Sequence, residues 1–155
     1  QRQMCIRDSD HTLQALPIIA IFMPLLAGLG GNIGTQSITL MVRGLSTGQV
    51  TLSSALHHIL RETSIGLLIG SIFGILVTAV TWGWQHNMEL GIIVGLAMAI
   101  NMTMATIIGT FTPFALKAMK VDPAVASGPV IATTIDVLGL AIYFTLVSTF
   151  LIKVM

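Results

Sequence analysis

Asp136 is the residue of this chain with the clearest capacity for chemistry. It is the only Asp, Glu, Lys or Arg between Pro123 and Ile152, inside a stretch that is otherwise apolar or weakly polar. A carboxylate at the centre of a membrane helix costs about 2.5 to 3.5 kcal/mol on insertion scales, so such residues mark ion or proton pathways. Gly128, Ala132 and Asp136 recur at four-residue intervals and share a helix face, and Gly139 and Tyr143 are expected to continue near it. Pro129 has no N–H for the carbonyl of Val125, which predicts a kink and an oxygen left for water or an ion. The alternative for Asp136 is a buried structural acid, hydrogen-bonded to a neighbouring helix.

A second polar concentration lies at 28–37, GLGGNIGTQS, where Asn32, Thr35, Gln36 and Ser37 follow close-set glycines. Irregular polar backbone at membrane depth is tolerated only against protein or a water-filled cavity, so this segment is a candidate pore lining. The same residues also form a packing patch of small residues, Ala27 with Gly31 and Gly30 with Gly34, and the two readings are compatible. Gly66, Gly70 and Gly74 read as a packing strip. Asn101, Ala105 and Gly109 share a face, and the adjoining Thr103, Thr106 and Thr110 are expected to bond their own helix carbonyls. Asn101 is the residue there worth testing.

Enzyme chemistry fits poorly. No H-E-x-x-H zinc-protease signature is present, and one membrane acid cannot make the carboxylate pair of an aspartyl protease. His57 and His58 are adjacent, which on a helix points them apart; they read as interfacial loop residues. The single cysteine, Cys5, excludes an internal disulfide framework and a cysteine metal cluster.

These residues must be positioned by membrane helices. The chain is 54% hydrophobic and 8% charged, with mean hydropathy +0.92, whereas about 25% charged residues is usual in soluble domains. A net charge of +1 offers no footprint for nucleic acid. Four apolar segments are long enough to span, at 13–42, 63–84, 90–116 and 123–152, and no soluble domain fits between them. The first is expected to be broken, because its roughly 30 residues would reach about 45 Å as one helix and it contains Pro17, Pro24 and the glycine run. Asp122 followed by Pro123 is expected to cap and start the fourth.

Arg43 and Arg61 follow the first segment, and Lys117 and Lys120 follow the third. The connection between the second and third has no Lys or Arg, only His86 and Glu89, with Trp82 and Trp84 beside it. Positive loops face the cytoplasm, so both ends of the four-span unit are expected outside, Lys153 alone opposing the trend. Residues 1–9, QRQMCIRDS, resemble translated adapter sequence and are read as a non-native leader, leaving 10–155 as a fragment of a longer membrane protein.

No cation accompanies Asp136 within the spans. Across a two-fold axis two such carboxylates carry a charge of −2, which suits one divalent ion. Magnesium, which dehydrates reluctantly and is held by one or two carboxylates through retained waters, fits a sparse site of this kind, and Mn²⁺ and Ca²⁺ fit its charge as well.

The runs PLLAGLGGNIGTQSITLMVRGL at 24–45 and DPAVASGPVIATTIDVLGLAIYF at 122–144 together resemble the membrane domain of the MgtE magnesium channels and transporters. The resemblance implies an all-α polytopic transmembrane bundle with four of an expected five helices present. It implies a homodimer in the lipid bilayer, with its pore lined by the first and last spans, in the bacterial inner membrane. Asp136 would bind hydrated Mg²⁺, Ala132 would face the ion through its backbone, and Gly128 stands where some members have asparagine. Asn32 and Gln36 match polar positions of the glycine-rich segment. The first helix and the cytoplasmic regulatory domains of such proteins would lie upstream. Transport of Mg²⁺, with Mn²⁺ or other divalent ions as further cargo, is the expected function. A proton- or Na⁺-coupled exchanger and a non-conducting membrane subunit are the alternatives.

Overall fold

The computed structural model describes the backbone of residues 2–125 and 128–154 and the side chains of residues 20–124 and 128–150. Four long helices make up the fold: α1 (Arg2–Ser46), α2 (Ala55–Gln85), α3 (Met88–Ala118) and α4 (Gly128–Val154). Short 3₁₀ turns at Leu52–Ser54 and Pro123–Val125 precede α2 and α4, and no strand occurs among the described residues. This is the all-α architecture expected where the bilayer offers no water to a free backbone group. The side chains of Arg2, Cys5, Arg7, Asp8, Pro17 and Lys153 lie outside the described set.

Helix α1 corrects one expectation. It runs unbroken through Pro24 and the whole 28–37 segment. Glycine costs a helix about 1 kcal/mol relative to alanine, less than an unsatisfied peptide group in hydrocarbon, which costs several. Continuous helix therefore wins. Among the described residues, three helical stretches are long and apolar enough to cross a membrane, Leu52–Gln85, Met88–Ala118 and Gly128–Phe150. The first expected span, at 13–42 in α1, lies partly outside the described side chains, and the described part of it carries the polar residues Asn32, Thr35, Gln36 and Ser37.

Helix α3 is the hub. It packs along α2 and also touches α1 and α4, and it buries Val94, Ala97, Met98, Asn101, Met102 and Ala105. One core cluster joins Phe22 and Leu26 of α1, Val94, Met98 and Met102 of α3, and Tyr143 and Val147 of α4. Another joins Ile38, Ala105, Ile131 and Ile135.

The strip on α2 packs as its spacing predicts. A Cβ on Gly74 would lie 2.6 Å from the Gly95 carbonyl oxygen, and one on Gly70 2.8 Å from that of Ala99. These backbones touch, which lets Thr78 Oγ1 reach Gly91 O at 3.0 Å while lying 2.8 Å from its own helix carbonyl at Gly74. The α2–α3 turn is tight: His86 is left-handed (φ 51°) and Asn87 Oδ1 accepts from the Leu90 amide at 3.1 Å. Trp82 and Trp84 are exposed beside it. His57 and His58 lie in the first turns of α2 rather than in a loop, with their rings edge to face.

The basic connections meet at the opposite end. Lys117 Nζ donates to Leu45 O at 3.3 Å, above a cluster of Met41, Leu45, Val50 and Phe114. Helix α3 closes there in a Schellman motif, with Val121 N bonded to Leu116 O at 2.9 Å and Lys120 N to Lys117 O at 3.1 Å. Lys120 occupies the left-handed position, φ 59°, that favours glycine. The start of α4 differs from expectation: Asp122 Oδ1 accepts from the Ala124 amide at 2.9 Å and caps the 3₁₀ turn, while α4 itself begins at Gly128.

Two stability outcomes follow from this packing. Gly74→Ala must push α2 off α3 and is expected to cost about 1 to 3 kcal/mol; Gly83→Ala, which meets nothing within 4 Å, should gain up to about 1 kcal/mol of helix propensity. Thermal unfolding in detergent measures both, and equal shifts would contradict the α2–α3 contact. Lys120→Gly should raise the midpoint, relieving a left-handed side-chain penalty of about 1 to 2 kcal/mol against about 0.4 to 1 kcal/mol of added chain entropy in the unfolded state.

Candidate functional site

Helix α4 seats on α1 through the glycines of the 28–37 segment. A Cβ on Gly31 would lie 2.7 Å from Asp136 Oδ1 and 3.5 Å from Ala132 Cβ, and one on Gly34 would run into the Ile135 side chain. The missing side chains make a notch into which Ala132, Ile135 and Asp136 fit. One turn away, Thr35 lies against Gly128, where a Cβ would stand 3.0 Å from Thr35 Cγ2. Gly128, Ala132 and Asp136 thus form one continuous strip along α1, as their spacing predicts.

Asp136 is half-buried. Its Oδ1 is shielded and has no hydrogen-bond partner among the described residues. The Gly31 backbone approaches the carboxylate without completing a bond to Oδ1, because a helical amide is committed to its own i−4 carbonyl. The structural-acid alternative needs a donor on a neighbouring helix, and the described residues provide none to this oxygen. Nor do they hold a group of three or more His, Cys, Asp or Glu arranged for a metal. A bare cation would lack a protein cage here, whereas an ion that keeps its waters needs only acceptors for their protons.

The two readings of the 28–37 segment divide by residue. Gly30, Gly31 and Gly34 are buried against α3 and α4, while Gly28, Asn32 and Gln36 are exposed. At 100° per residue, Thr35, Asn32 and Gln36 fan out within about 140° on one side of Gly31. They give α1 a polar wall on its exposed side. Thr35 is half-buried, and its hydroxyl is spent on Gly31 O at 2.8 Å. Gly128 also lines a cleft of about 360 Å³ with Thr39, Arg43 and Ser46, opening toward the basic end.

Three expectations are corrected. Pro129 is the second residue of α4 and exposed; in a first turn its missing N–H has no intrahelical role, so it puts no kink in the body of α4. Gly139 and Tyr143 turn inward, Gly139 onto Asn101 and Tyr143 into the core with Leu26 and Met98; three residues beyond Asp136, Gly139 lies about 60° round the helix from it, and Tyr143, seven beyond, about 20° the same way. Thr103 and Thr106 bond helix carbonyls as expected, but the buried Thr110 hydroxyl has no partner among the described residues. Asn101, singled out by its type alone, is buried and donates from Nδ2 to Leu26 O at 2.7 Å. Its pairing with Gly30 and Gly139 was not legible, since those glycines lie on two other helices.

Residues 23–146 match the MgtE family, described as a divalent cation transporter. The chain is 37% identical over 142 residues to the "Magnesium transporter MgtE" of Bacillus subtilis (strain 168), an alignment covering 92% of this chain and 32% of that protein. It is 39% identical over 146 residues to the protein of that name from Enterococcus faecalis, covering 94% and 32%. With the one from Thermus thermophilus it shares 34% over 140 residues, covering 90% and 31%. The chain therefore spans about a third of the length of these relatives. A match over most of the chain, together with membrane-length helices and one acid, Asp136, seated between α1 and α4, places it: this chain belongs to the MgtE family of divalent cation transporters.

Proposed function

We propose that this chain forms the ion-conducting membrane part of a magnesium transporter, with hydrated Mg²⁺ passing along the groove between α1 and α4. The observation that carries the reading is Asp136: a half-buried carboxylate with one shielded, unpartnered oxygen among the described residues, against the backbone of a second helix. The relatives named magnesium transporters support the choice of cargo.

The groove lies on an open side of the four-helix unit, and Asn32, Gln36, Pro129 and Thr133 along it are exposed. A second copy across a two-fold axis would close it into a pore and bring a second Asp136 to the same ion. Each carboxylate accepts hydrogen bonds from the ion's water shell, so the pair neutralises the charge without stripping the waters. Ala132 and Gly128 keep the strip narrow, which leaves room for a hydrated ion beside the α4 backbone. Asn32 and Gln36 order the surrounding water. Import into the cytoplasm follows the membrane potential. Mn²⁺ has the same charge and also takes oxygen ligands, so it would compete.

Asp136→Ala is expected to weaken Mg²⁺ binding at least about tenfold, since a hydrogen bond to a charged group is worth about 1.5 to 3 kcal/mol. It should also raise Na⁺ permeation relative to Mg²⁺. Uptake into proteoliposomes by the full natural polypeptide, under an imposed potential with no pH gradient, measures both. Unchanged affinity and selectivity would remove Asp136 from the pathway, and uptake that appears only with a pH or Na⁺ gradient would mean a coupled exchanger.

A further inference from the structure

Asn101 sits where three helices converge, one turn from the Asp136 strip. Its side chain is 1% exposed and donates from Nδ2 to the Leu26 carbonyl of α1 at 2.7 Å. Two glycines from different helices wall it in. A Cβ on Gly30 of α1 would stand 2.5 Å from Nδ2, and a Cβ on Gly139 of α4 would stand 2.8 Å from Cγ and 2.9 Å from Nδ2. The amide therefore occupies the space that side chains on α1 and α4 would otherwise claim.

Those two glycines are tied to the ion strip. Gly30 immediately precedes Gly31, the residue against which Asp136 and Ala132 rest. Gly139 follows Asp136 by three residues, about 4.5 Å along α4. Whatever sets the distance from α3 to Gly30 and to Gly139 also sets the spacing of α1 and α4 at Asp136. The amide does so with a fixed volume and a directional bond, and it has no room to shift without breaking the bond or moving a backbone.

We infer that Asn101 is a positioning residue for the Asp136 site: wedged between Gly30 and Gly139 and bonded to Leu26 O, it fixes the α1–α4 spacing on which discrimination among hydrated cations depends. A hydrated ion is recognised through hydrogen bonds from its waters, and these weaken steeply with small errors in distance and angle. A loosened spacing therefore degrades affinity and selectivity at Asp136 while the helices still assemble. This inference rests on the proposed role of Asp136 in the ion path.

The test uses the full natural polypeptide in proteoliposomes, with Mg²⁺, Ca²⁺ and Na⁺ as probes. Asn101→Leu keeps the bulk and removes the donor; Asn101→Ala removes the wedge; Gly139→Ala presses on the amide from the other side. Gly74→Ala serves as a control that loosens α2 from α3 away from the groove. Asn101→Ala and Gly139→Ala are expected to raise the Mg²⁺ concentration for half-maximal uptake several-fold and to narrow the Mg²⁺ preference over Ca²⁺ and Na⁺. Asn101→Leu should fall between them and the parent. Gly74→Ala should lower yield and thermal stability with selectivity kept. In an Asp136→Ala background the Asn101 and Gly139 substitutions should add nothing further to affinity or selectivity.

Selectivity held in all three variants, or effects that add in full to those of Asp136→Ala, would overturn the positioning role. If Asn101→Ala fails to assemble, Gly139→Ala and Asn101→Leu still decide. The two readings fail separately: an Asp136→Ala protein with parental affinity and selectivity sinks the ion path and this inference with it. An altered Asp136→Ala protein alongside parental Asn101 and Gly139 variants sinks only this inference.

Discussion

The contact of Asp136 with the backbone of Gly31 is the interaction on which the rest of the groove depends. A side chain at residue 31 would occupy the place of the carboxylate oxygen, since its Cβ alone would come within 2.7 Å of Oδ1. Glycine there admits the acid into the seam between α1 and α4. The same absence at Gly34 admits Ile135, which anchors α4 in the adjoining core. A polar and an apolar residue one position apart are thus received by two glycines three positions apart. The apolar one holds the helices together, and the polar one is kept at their open edge.

This arrangement answers the energetic problem of a charge at membrane depth. Full burial of an unpaired carboxylate is costly enough that the group would take up a proton instead. Full exposure to lipid is costly as well. Half-burial gives the carboxylate protein on one side and an open side on the other, and the amides of Asn32 and Gln36 on α1 are exposed. In such a setting the attraction for a divalent ion is stronger than in bulk water, because fewer solvent dipoles screen it.

Much of this was legible in the residues alone. The apolar runs located α2 and α3 closely, and the Gly66, Gly70 and Gly74 spacing identified a packing strip whose partners are the carbonyls and side chains of α3. Asp136 stood out because one acid in a long apolar stretch demands an explanation. What failed did so for reasons of tertiary context. Glycine and proline content argued against a continuous α1, yet in a bilayer the requirement to satisfy every peptide group outweighs local propensity. Proline at 129 looked like a kink because the helix was expected to begin at 123; with the start at Gly128 it occupies a position that needs no N–H. Asn101 was visible as a polar residue in an apolar helix, but the two glycines that frame it are 71 and 38 positions away, and nothing in their local sequence pairs them.

The central claim is that the Asp136 carboxylate holds a divalent cation in the groove between α1 and α4. A cysteine at Asn32, an exposed position on the polar wall, reports on it directly once Cys5 is replaced by alanine. The account predicts that millimolar Mg²⁺ slows modification of Asn32→Cys by a water-soluble thiol reagent, and that this protection disappears when Asp136→Asn is introduced. Equal protection with and without the carboxylate, or none in either protein, would contradict it.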